Sequence, residues 1–278
     1  MLTETVHSYL EVRRACGFAL KSQGASLRSF AAFSDARGKS HVCIDTAIEW
    51  AALARNIPRR ARRLGEVIRF ARYALAEDPH HEVPPPVFGT SWSARPIPYI
   101  LSTEEIERLI QAAARSGKIP FRRETYSSLF SLLACTGLRV SEAIHLRYDD
   151  ITPDGLVIRC TKFRKSRLVP LHSSAIAGLN RYLDRRRPYA PCDDHVFISV
   201  VGTPLLSKDV DIVFHDAAVK IGLPLGPGLP RPTPHSLRHT FAVRALASCP
   251  DDRDHITKHM LALSTYLGHA KIANTYWY

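Results

Sequence analysis

Apolar residues recur at helical spacing throughout the first eighty positions, where the alternating pattern of a strand is almost absent. Two segments show this clearly: Ile44, Ala47, Ile48 and Ala51, and Leu64, Val67, Ile68 and Ala71. Spacings of three and four residues place such side chains on one face of an α-helix. The pattern predicts a bundle of about four helices over residues 1–79.

Beyond residue 98 the pattern predicts further helices and a short pair of strands. Ser102 and Glu105 have the spacing of a capping box, so a helix should begin there and run to about Ala114. Other helices are predicted at about 124–135, 173–186, 207–221, 235–247, 256–267 and 271–277. Strands are predicted at 155–160 and 167–170, joined by a basic turn, and near 196–198. The expected fold class is mostly α with a small β-hairpin or sheet.

A proline-rich segment separates the two halves of the chain. Residues 80–98 hold prolines at 84–86, 96 and 98, which are too many for a helix and too irregularly placed for a central strand. We interpret 80–98 as a linker between a helical domain at 1–79 and a second domain at 99–278.

The charge balance changes this picture by suggesting a partner. The 278 residues carry a net charge of +12, and both halves share the excess. Such a charge favours a polyanionic partner, nucleic acid before membrane. Four arginines crowd the start of the last predicted helix of the first domain, either as a phosphate-contacting stripe or as a solvated helix face: Arg59, Arg60, Arg62 and Arg63.

Composition excludes several other classes of protein. No apolar run reaches 18 residues, and charged side chains interrupt the first twenty positions where a signal peptide would be apolar. We therefore expect a soluble, cytoplasmic protein. Six widely spaced cysteines without a CxxC pair argue against a zinc ribbon or a disulfide scaffold. His255 and His259 have no evident third ligand, and residues 80–82 are interpreted as polar linker, so no metal site is expected.

Five short motifs carry candidate chemistry, and each is weak alone. They are Thr136-Gly-Leu-Arg139-Val-Ser-Glu142, Lys162, His235-Ser-Leu-Arg238-His239-Thr240, Leu267-Gly268-His269 and Tyr278. Together and in this order they resemble the tyrosine recombinase family, whose members cut and rejoin DNA through a 3′-phosphotyrosyl bond. The resemblance covers 99–278 by motif and 1–79 by general character, and it implies a core-binding domain followed by a catalytic domain.

The resemblance also implies a role for each matching residue. Tyr278, nine residues after His269, would be the nucleophile, with Tyr276 and Tyr266 as rivals. Arg139 and Arg238 would clamp the phosphate. His235 would shuttle the tyrosine proton and His269 would donate a hydrogen bond to the phosphate, while Glu142 and His239 would orient the arginines and histidines. Lys162 would protonate the 5′ oxygen. Arg164 and Lys165 are its rivals in that role, and both, with Arg167, are otherwise expected to touch DNA phosphates.

Local sequence supports one of these roles independently. Thr233 and Pro234 suit the N-cap and first position of a helix, which places His235 in the first turn. Free backbone N–H groups and the helix dipole favour an anion there.

Membership would imply double-stranded DNA as partner, a dimer on each site, a tetramer in synapsis, association with the nucleoid, and no ATP, metal or other cofactor. Type IB topoisomerases share this chemistry, and a non-catalytic DNA-binding regulator is a third possibility. Two features depart from the family pattern. The 31-residue step from Arg238 to His269 is long, and the sequence stops at Tyr278 where relatives continue, so we expect the natural chain to extend further.

Overall fold

The computed structural model describes residues 1–89, 97–159, 166–189, 193–226, 230–249, 252–269 and 272–275. The chain divides into two compact units, Met1–Arg95 and Pro96–Tyr278. Each unit has its own buried apolar core, as an independent domain requires.

The first unit is built from four helices: α1 (Leu2–Ala15), α2 (Lys21–Asp35), α3 (Ile44–Ala52) and α4 (Ile57–Glu77). Their apolar faces meet in one core, in which the rings of Phe30 and Trp50 lie 5.4 Å apart. Leu64 and Val67, on the predicted apolar face of α4, are fully buried. The predicted four-helix bundle is confirmed.

The chain that follows α4 packs back onto this unit. His81 is buried, and its Nδ1 accepts a hydrogen bond from the Val42 backbone N–H at 3.0 Å. Val83 and Phe88 pack against the same core. Part of the segment interpreted as linker therefore belongs structurally to the first unit.

The second unit is mostly helical. Its helices are α5 (Thr103–Ala114), α6 (Pro120–Thr136), α7 (Val140–Ile144), α8 (Ser173–Arg186), α9 (Ser207–Lys220), α10 (Pro234–Ala247) and α11 (Arg253–Leu267). Helix α6 packs against α5, α8 and α10 and carries Leu129 and Phe130, both fully buried. Ser102 and Glu105 form the predicted capping box at the start of α5.

A three-stranded antiparallel sheet lies between α7 and α8 in the sequence. Its strands β1 (Ile151–Thr152), β2 (Gly155–Ile158) and β3 (Arg167–Val169) lie in chain order. Leu156 pairs with Val169, and both are fully buried. The hairpin prediction is confirmed, but β1 was missed because two residues give no period. The strand predicted near 196–198 is wrong: within this segment only Ile198 makes a bridge, an isolated one with Pro204.

Helices α10 and α11 pack against each other near the end of the chain. A small cluster of Ala242, Leu263 and Leu267 joins the two helices.

Among the described residues, no helix is long and apolar enough to cross a membrane.

Candidate active site

The turn between α6 and α7 positions the first motif. Helix α6 ends at Gly137, whose φ of 62° is in the left-handed region that favours glycine. A Cβ at this glycine would lie 2.5 Å from a ring carbon of Phe241, so a larger residue would force the turn away from α10. Two residues later Arg139 is the N-cap of α7, and its backbone N–H donates to the Glu142 carboxylate at 3.0 Å.

Glu142 joins two arginines. Arg139 Nη1 donates to its Oε1 at 2.6 Å, and Arg167 donates to both carboxylate oxygens at 3.0 and 2.8 Å. Burial opposes ionisation of this carboxyl, but the hydrogen bonds and charges of the two arginines outweigh burial and lower its pKa to about 2. Glu142 is therefore ionised at neutral pH and holds both guanidinium groups in place.

Arg167 lies beneath this network. Besides its two bonds to Glu142, its Nε donates to the Tyr266 carbonyl at 2.6 Å, and its side chain is only 11% exposed. The sequence expectation placed this residue against DNA phosphates. In the structure its guanidinium is directed inward, which suits a role in positioning Arg139 and the end of α11.

Arg238 is the most deeply buried cation of the site, with 1% of its surface exposed. Its Nη1 donates to the Gly137 carbonyl and its Nη2 to the Leu267 carbonyl, both at 2.7 Å. Its Nη2 also lies 3.1 Å from His269 Nε2. The side chain thus ties the end of α6 to the end of α11.

His269 follows the C-cap of α11. Gly268 takes a left-handed φ of 66°, and the His269 backbone N–H closes the helix by donating to the Ser264 carbonyl. Arginine offers only donors, so His269 Nε2 accepts from Arg238, and Nδ1 donates to Thr275 Oγ1 at 2.7 Å. Burial first, then the charges of the nearby arginines, lowers the His269 pKa to about 4.

The Gly268 carbonyl completes the arrangement. Arg139 Nη2 donates to it at 3.0 Å, one residue beyond the Leu267 carbonyl that Arg238 contacts. The two arginines from separate motifs therefore converge on consecutive carbonyls at the end of α11. Arg139, Glu142, Arg238 and His269, which the sequence selected separately, form one connected network.

His235 and His239 stand on one face of α10, with ring centroids 4.6 Å apart. Thr233 is the N-cap and Pro234 the first residue, so the predicted position of His235 in the first turn is confirmed. The His235 side chain is in contact with solvent. Its pKa is nevertheless lowered to about 4, mainly because neighbouring protein atoms displace water from the ring and secondly because Arg238 and Arg139 are positively charged. His239 also has a pKa of about 4, chiefly through burial. Both rings are neutral at pH 7.

Four predicted site residues lie outside the described parts of the chain: Lys162, Arg164, Lys165 and Tyr278. Tyr276, a rival nucleophile, lies outside them too. The other rival, Tyr266, stacks on Phe241 at a centroid separation of 5.5 Å, and burial raises its pKa to about 12. A stacked phenol that resists ionisation is poorly suited to attack.

A basic groove beside Arg139 was missed from the sequence. Its volume is about 610 Å³, and its lining includes Arg147 and Arg159. Each of these arginines is about half exposed and faces a carboxylate, Asp194 and Asp150 respectively. The sequence did hold a signal for Arg159. Side chains along a strand alternate between the two faces of the sheet, and Leu156 and Ile158 are buried, so Arg159 points to the opposite face.

The arginine cluster of the first unit lies at the start of α4. Arg59, Arg62 and Arg63 line a groove of about 360 Å³ with Arg55, which the sequence reasoning missed. Arg62 is mainly exposed and lies 3.5 Å from the buried Glu66. Arg60 turns away, and its Nε donates to the Ala54 carbonyl.

Potential metal ligands cluster outside this site among the described residues. One group is His41, Asp78 and His80, and the other is Asp193, Asp194 and His195. The i,i+4 pair considered from the sequence has local partners instead: His255 contacts Asp252, and His259 Nε2 lies 2.7 Å from the Ala245 carbonyl.

Comparison with known proteins gives a consistent result. Residues 100–278 match the sequence model of the phage integrase family. The Sinorhizobium fredii protein y4rB, named as an integrase/recombinase, is 38% identical to this chain. The match covers 99% of this chain and 91% of y4rB. The tyrosine recombinase XerD of Caulobacter vibrioides is 33% identical over 78% of this chain and 69% of XerD.

Solved structures share the fold. The Tn1549 transposon integrase in complex with a circular intermediate DNA matches with a TM-score of 0.70 at 16% identity, over 100% of this chain and 94% of that chain. A lambda integrase tetramer bound to a Holliday junction matches with a TM-score of 0.66 at 18% identity, over 96% and 77% respectively.

Proposed function

Because this chain belongs to the phage integrase family of tyrosine recombinases, we propose that it is a site-specific DNA recombinase in which Arg139, Arg238, His235 and His269 bind and activate one DNA phosphate for attack by Tyr278. The observation that supports this most strongly is the network at the end of α11. It gathers two arginines and a histidine from three distant motifs around consecutive backbone carbonyls.

The arginines supply charge that does not depend on pH. A guanidinium stays protonated throughout the physiological range and offers paired donors to two phosphate oxygens. Arg238 is held by two carbonyls and Arg139 by Glu142 and one carbonyl, so little reorganisation is needed when the phosphate gains charge in the transition state. Arg139 and Arg238 would both stabilise the negative charge of the pentavalent phosphorane.

The histidines supply proton transfer and hydrogen bonding. With a pKa of about 4, His235 is a neutral acceptor at pH 7 and takes the proton as the Tyr278 oxygen bonds to phosphorus. The bond from phosphorus to the 5′ oxygen breaks, and Lys162 delivers a proton to that oxygen. When the phosphate binds, the neutral His269 ring shifts its proton from Nδ1 to Nε2 and donates it to a phosphate oxygen, while Thr275 Oγ1 donates to Nδ1.

Reversal of this step with a different 5′ hydroxyl rejoins the strands. The phosphotyrosyl bond retains the energy of the broken phosphodiester, so neither ATP nor a cofactor enters the balance. The partner is double-stranded DNA, held by a dimer on each site and a tetramer in synapsis. The lambda integrase dimers and tetramer solved on DNA support this assembly, and such an enzyme would act on the nucleoid in the cytoplasm.

The arginine groove at the start of α4 contributes sequence-independent affinity in this proposal. Arg59, Arg62 and Arg63 would contact backbone phosphates, as would Arg164 and Lys165 in the turn after β2. The relatives described above are named as recombinases and integrases, which favours strand exchange over supercoil relaxation or a non-catalytic role.

The test is formation of a covalent adduct. A DNA site would first be selected from a random library with the full chain, then prepared with a nick that traps the cleaved strand. We expect a protein–DNA adduct on a denaturing gel with wild type, none with Tyr278→Phe, and wild-type amounts with the matched control Tyr276→Phe. An adduct that survives Tyr278→Phe would overturn the assignment of the nucleophile, and no adduct with any chain would overturn the cleavage activity.

A further inference from the structure

A cluster in the first unit brings two histidines against one carboxylate. His41 lies in the segment between α2 and α3, Asp78 is the C-cap of α4, and His80 follows two residues later. His41 Nε2 lies 3.1 Å from one oxygen of Asp78, and His80 Nδ1 lies 2.7 Å from the other. All three ligand atoms lie within 4.8 Å of one another. The cluster is solvent-accessible and lies at the C-terminal end of α4, whereas the arginine groove lies at the start of that helix.

The backbone on both sides of this cluster is fixed. The Val42 N–H donates to His81 Nδ1, and the Glu82 N–H donates to the Val42 carbonyl at 2.8 Å. The Ile44 N–H donates to the Glu82 carboxylate at 2.6 Å. Three hydrogen bonds thus hold the segment before α3 against the segment after α4. The ligand atoms are brought together by the fold itself, with His81 buried beneath them.

We propose that His41, Asp78 and His80 bind one divalent transition-metal ion of the zinc class. Two imidazole nitrogens and one carboxylate oxygen are donors that suit Zn²⁺, Co²⁺ or Ni²⁺, whereas Mg²⁺ and Ca²⁺ prefer oxygen ligands alone. A tetrahedral ion with bonds of about 2.0–2.1 Å needs ligand atoms roughly 3.3 Å apart. Because the ligand atoms already lie within 4.8 Å of one another, side-chain adjustments of about 1.5 Å or less meet that requirement, and water would fill the fourth position.

The surroundings of His41 suit a metal-bound imidazole. Ligating histidines usually donate their second ring N–H to a nearby acceptor, which fixes the ring and its tautomer. Ser40 Oγ lies 3.0 Å from His41 Nδ1 and can accept that proton, leaving Nε2 free to bind the ion. His81 takes no part as a ligand, because its Nδ1 already accepts from Val42 and the opposite nitrogen must then carry the proton.

The ion would fasten the first unit. It would cross-link the segment before α3 to the segment after α4. The arginines of the groove lie between these two segments in the sequence. A ligand that binds only the folded state raises the free energy of unfolding by RT ln(1 + [L]/Kd), which grows with the logarithm of the ligand concentration. This role is independent of strand exchange, so its failure would leave the proposed function untouched.

Cobalt provides the direct test, because its visible absorption reports the ligand set. Full-length protein, free of DNA, is titrated with Co²⁺ alone. We expect wild type to bind one ion with tetrahedral d–d bands, and His41→Gln and His80→Gln to weaken that binding at least about tenfold. The matched control is His7→Gln, since His7 also faces a carboxylate, Glu11 at 3.1 Å, but has no second histidine there. Equal binding by wild type and His80→Gln would overturn the proposal.

Two further variants locate the ion. His80→Cys should retain the ion and add a thiolate-to-cobalt charge-transfer band, which appears only if residue 80 contacts the metal. His235→Gln should bind Co²⁺ like wild type, whereas lost binding in that variant would place the ion in the candidate active site and refute the site proposed here. Zn²⁺ should raise the unfolding temperature of wild type and leave that of His80→Gln unchanged. Circular dichroism verifies that each variant is folded.

Discussion

Arginines dominate two regions of this protein, and the two sets are held in different ways. In the second unit Arg238 is 1% exposed and bonds to two backbone carbonyls, while Arg139 and Arg167 share the buried Glu142. At the start of α4, Arg62 is 63% exposed and its partner Glu66 lies 3.5 Å away. The first set is fixed before any ligand arrives, whereas the second is free to adjust.

This difference separates two uses of the same side chain. A phosphate that must react needs donors already aimed at the position where charge develops, because reorganisation would raise the barrier. A phosphate that is only held can be met by mobile, hydrated cations, which gain affinity through counterion release. The immobilised arginines suit the reacting phosphate, and the exposed groove suits the flanking backbone.

The largest expected effect comes from changing the shape of the cation and keeping its charge. Arg238→Lys should slow adduct formation at least about 100-fold, because an ammonium group cannot reach both carbonyls and a phosphate at once. Arg62→Lys should change the same rate by about twofold or less. Single-turnover assays on nicked DNA measure both. Similar losses in the two variants would mean that the buried and the exposed arginines serve the reaction in the same way.

Removing the charge of Glu142 or of Glu66 tests how much each buried carboxylate contributes to the free energy of unfolding. Glu142→Gln should lower the free energy of unfolding by about 3 kcal/mol, since it leaves two arginines without their shared partner. Glu66→Gln should cost about 1 kcal/mol or less, because its arginine is mainly exposed. The pKa of Glu142 is about 2 against an ordinary value of 4.5, so its contribution is complete above pH 4.5 and is lost as the pH falls toward 2.

Urea denaturation at several pH values measures these differences. The gap between wild type and Glu142→Gln should therefore narrow below pH 4.5. A gap that does not change with pH would mean that the carboxylate charge is not what holds the network together.

Salt dependence tests the exposed set directly. Replacing Arg59 and Arg62 together by glutamine should reduce the slope of log K against log salt by about 1.8, or about 0.9 per lost phosphate contact. The weakening should be equal on specific and random DNA. Replacing Arg14 and Lys39, which are exposed and lie outside the groove, should leave the slope nearly unchanged. Fluorescence anisotropy from 50 to 300 mM salt, on the order of the physiological range, gives both slopes.

The smallest expected effect is in the pH profile of cleavage. Because the pKa of His235 and of His269 is about 4, both rings of the free protein stay neutral well below pH 6.5. The second-order rate constant of adduct formation should fall by about twofold or less between pH 7.5 and 6 and decline only below about pH 5. An inflection near 6.5 in wild type that is absent from His235→Ala would contradict this assignment of charge.

The parts of the site that were predictable rest on local signals. Gly137 and Gly268 each end a helix in a left-handed conformation, and Thr233 with Pro234 begins α10. The sequence motifs therefore indicated where these helices begin and end. Helical periodicity likewise predicted the four helices of the first unit. These features depend on neighbours within four residues, which is the range that a single sequence displays.

The parts that escaped prediction depend on distant partners. Arg167 looked like one more cation of a basic turn, but it folds onto Glu142, 25 residues earlier in the chain, and onto the Tyr266 carbonyl. His80 looked like polar linker until the fold placed His41 beside it. Charge patterns reveal that a side chain is cationic, but tertiary packing decides whether it faces solvent or a buried carboxylate.

The anchors of Arg139 and Arg238 also determine which substitutions can disturb the candidate active site. The carbonyls of Gly137, Leu267 and Gly268 that receive Arg238 and Arg139 are common to every amino acid. No single substitution deletes them, so mutational scanning would detect these anchors only through substitutions that move the backbone, such as those at Gly137 and Gly268. The path of the backbone therefore sets the aim of both guanidinium groups, and the left-handed φ of Gly137 and Gly268 sets that path.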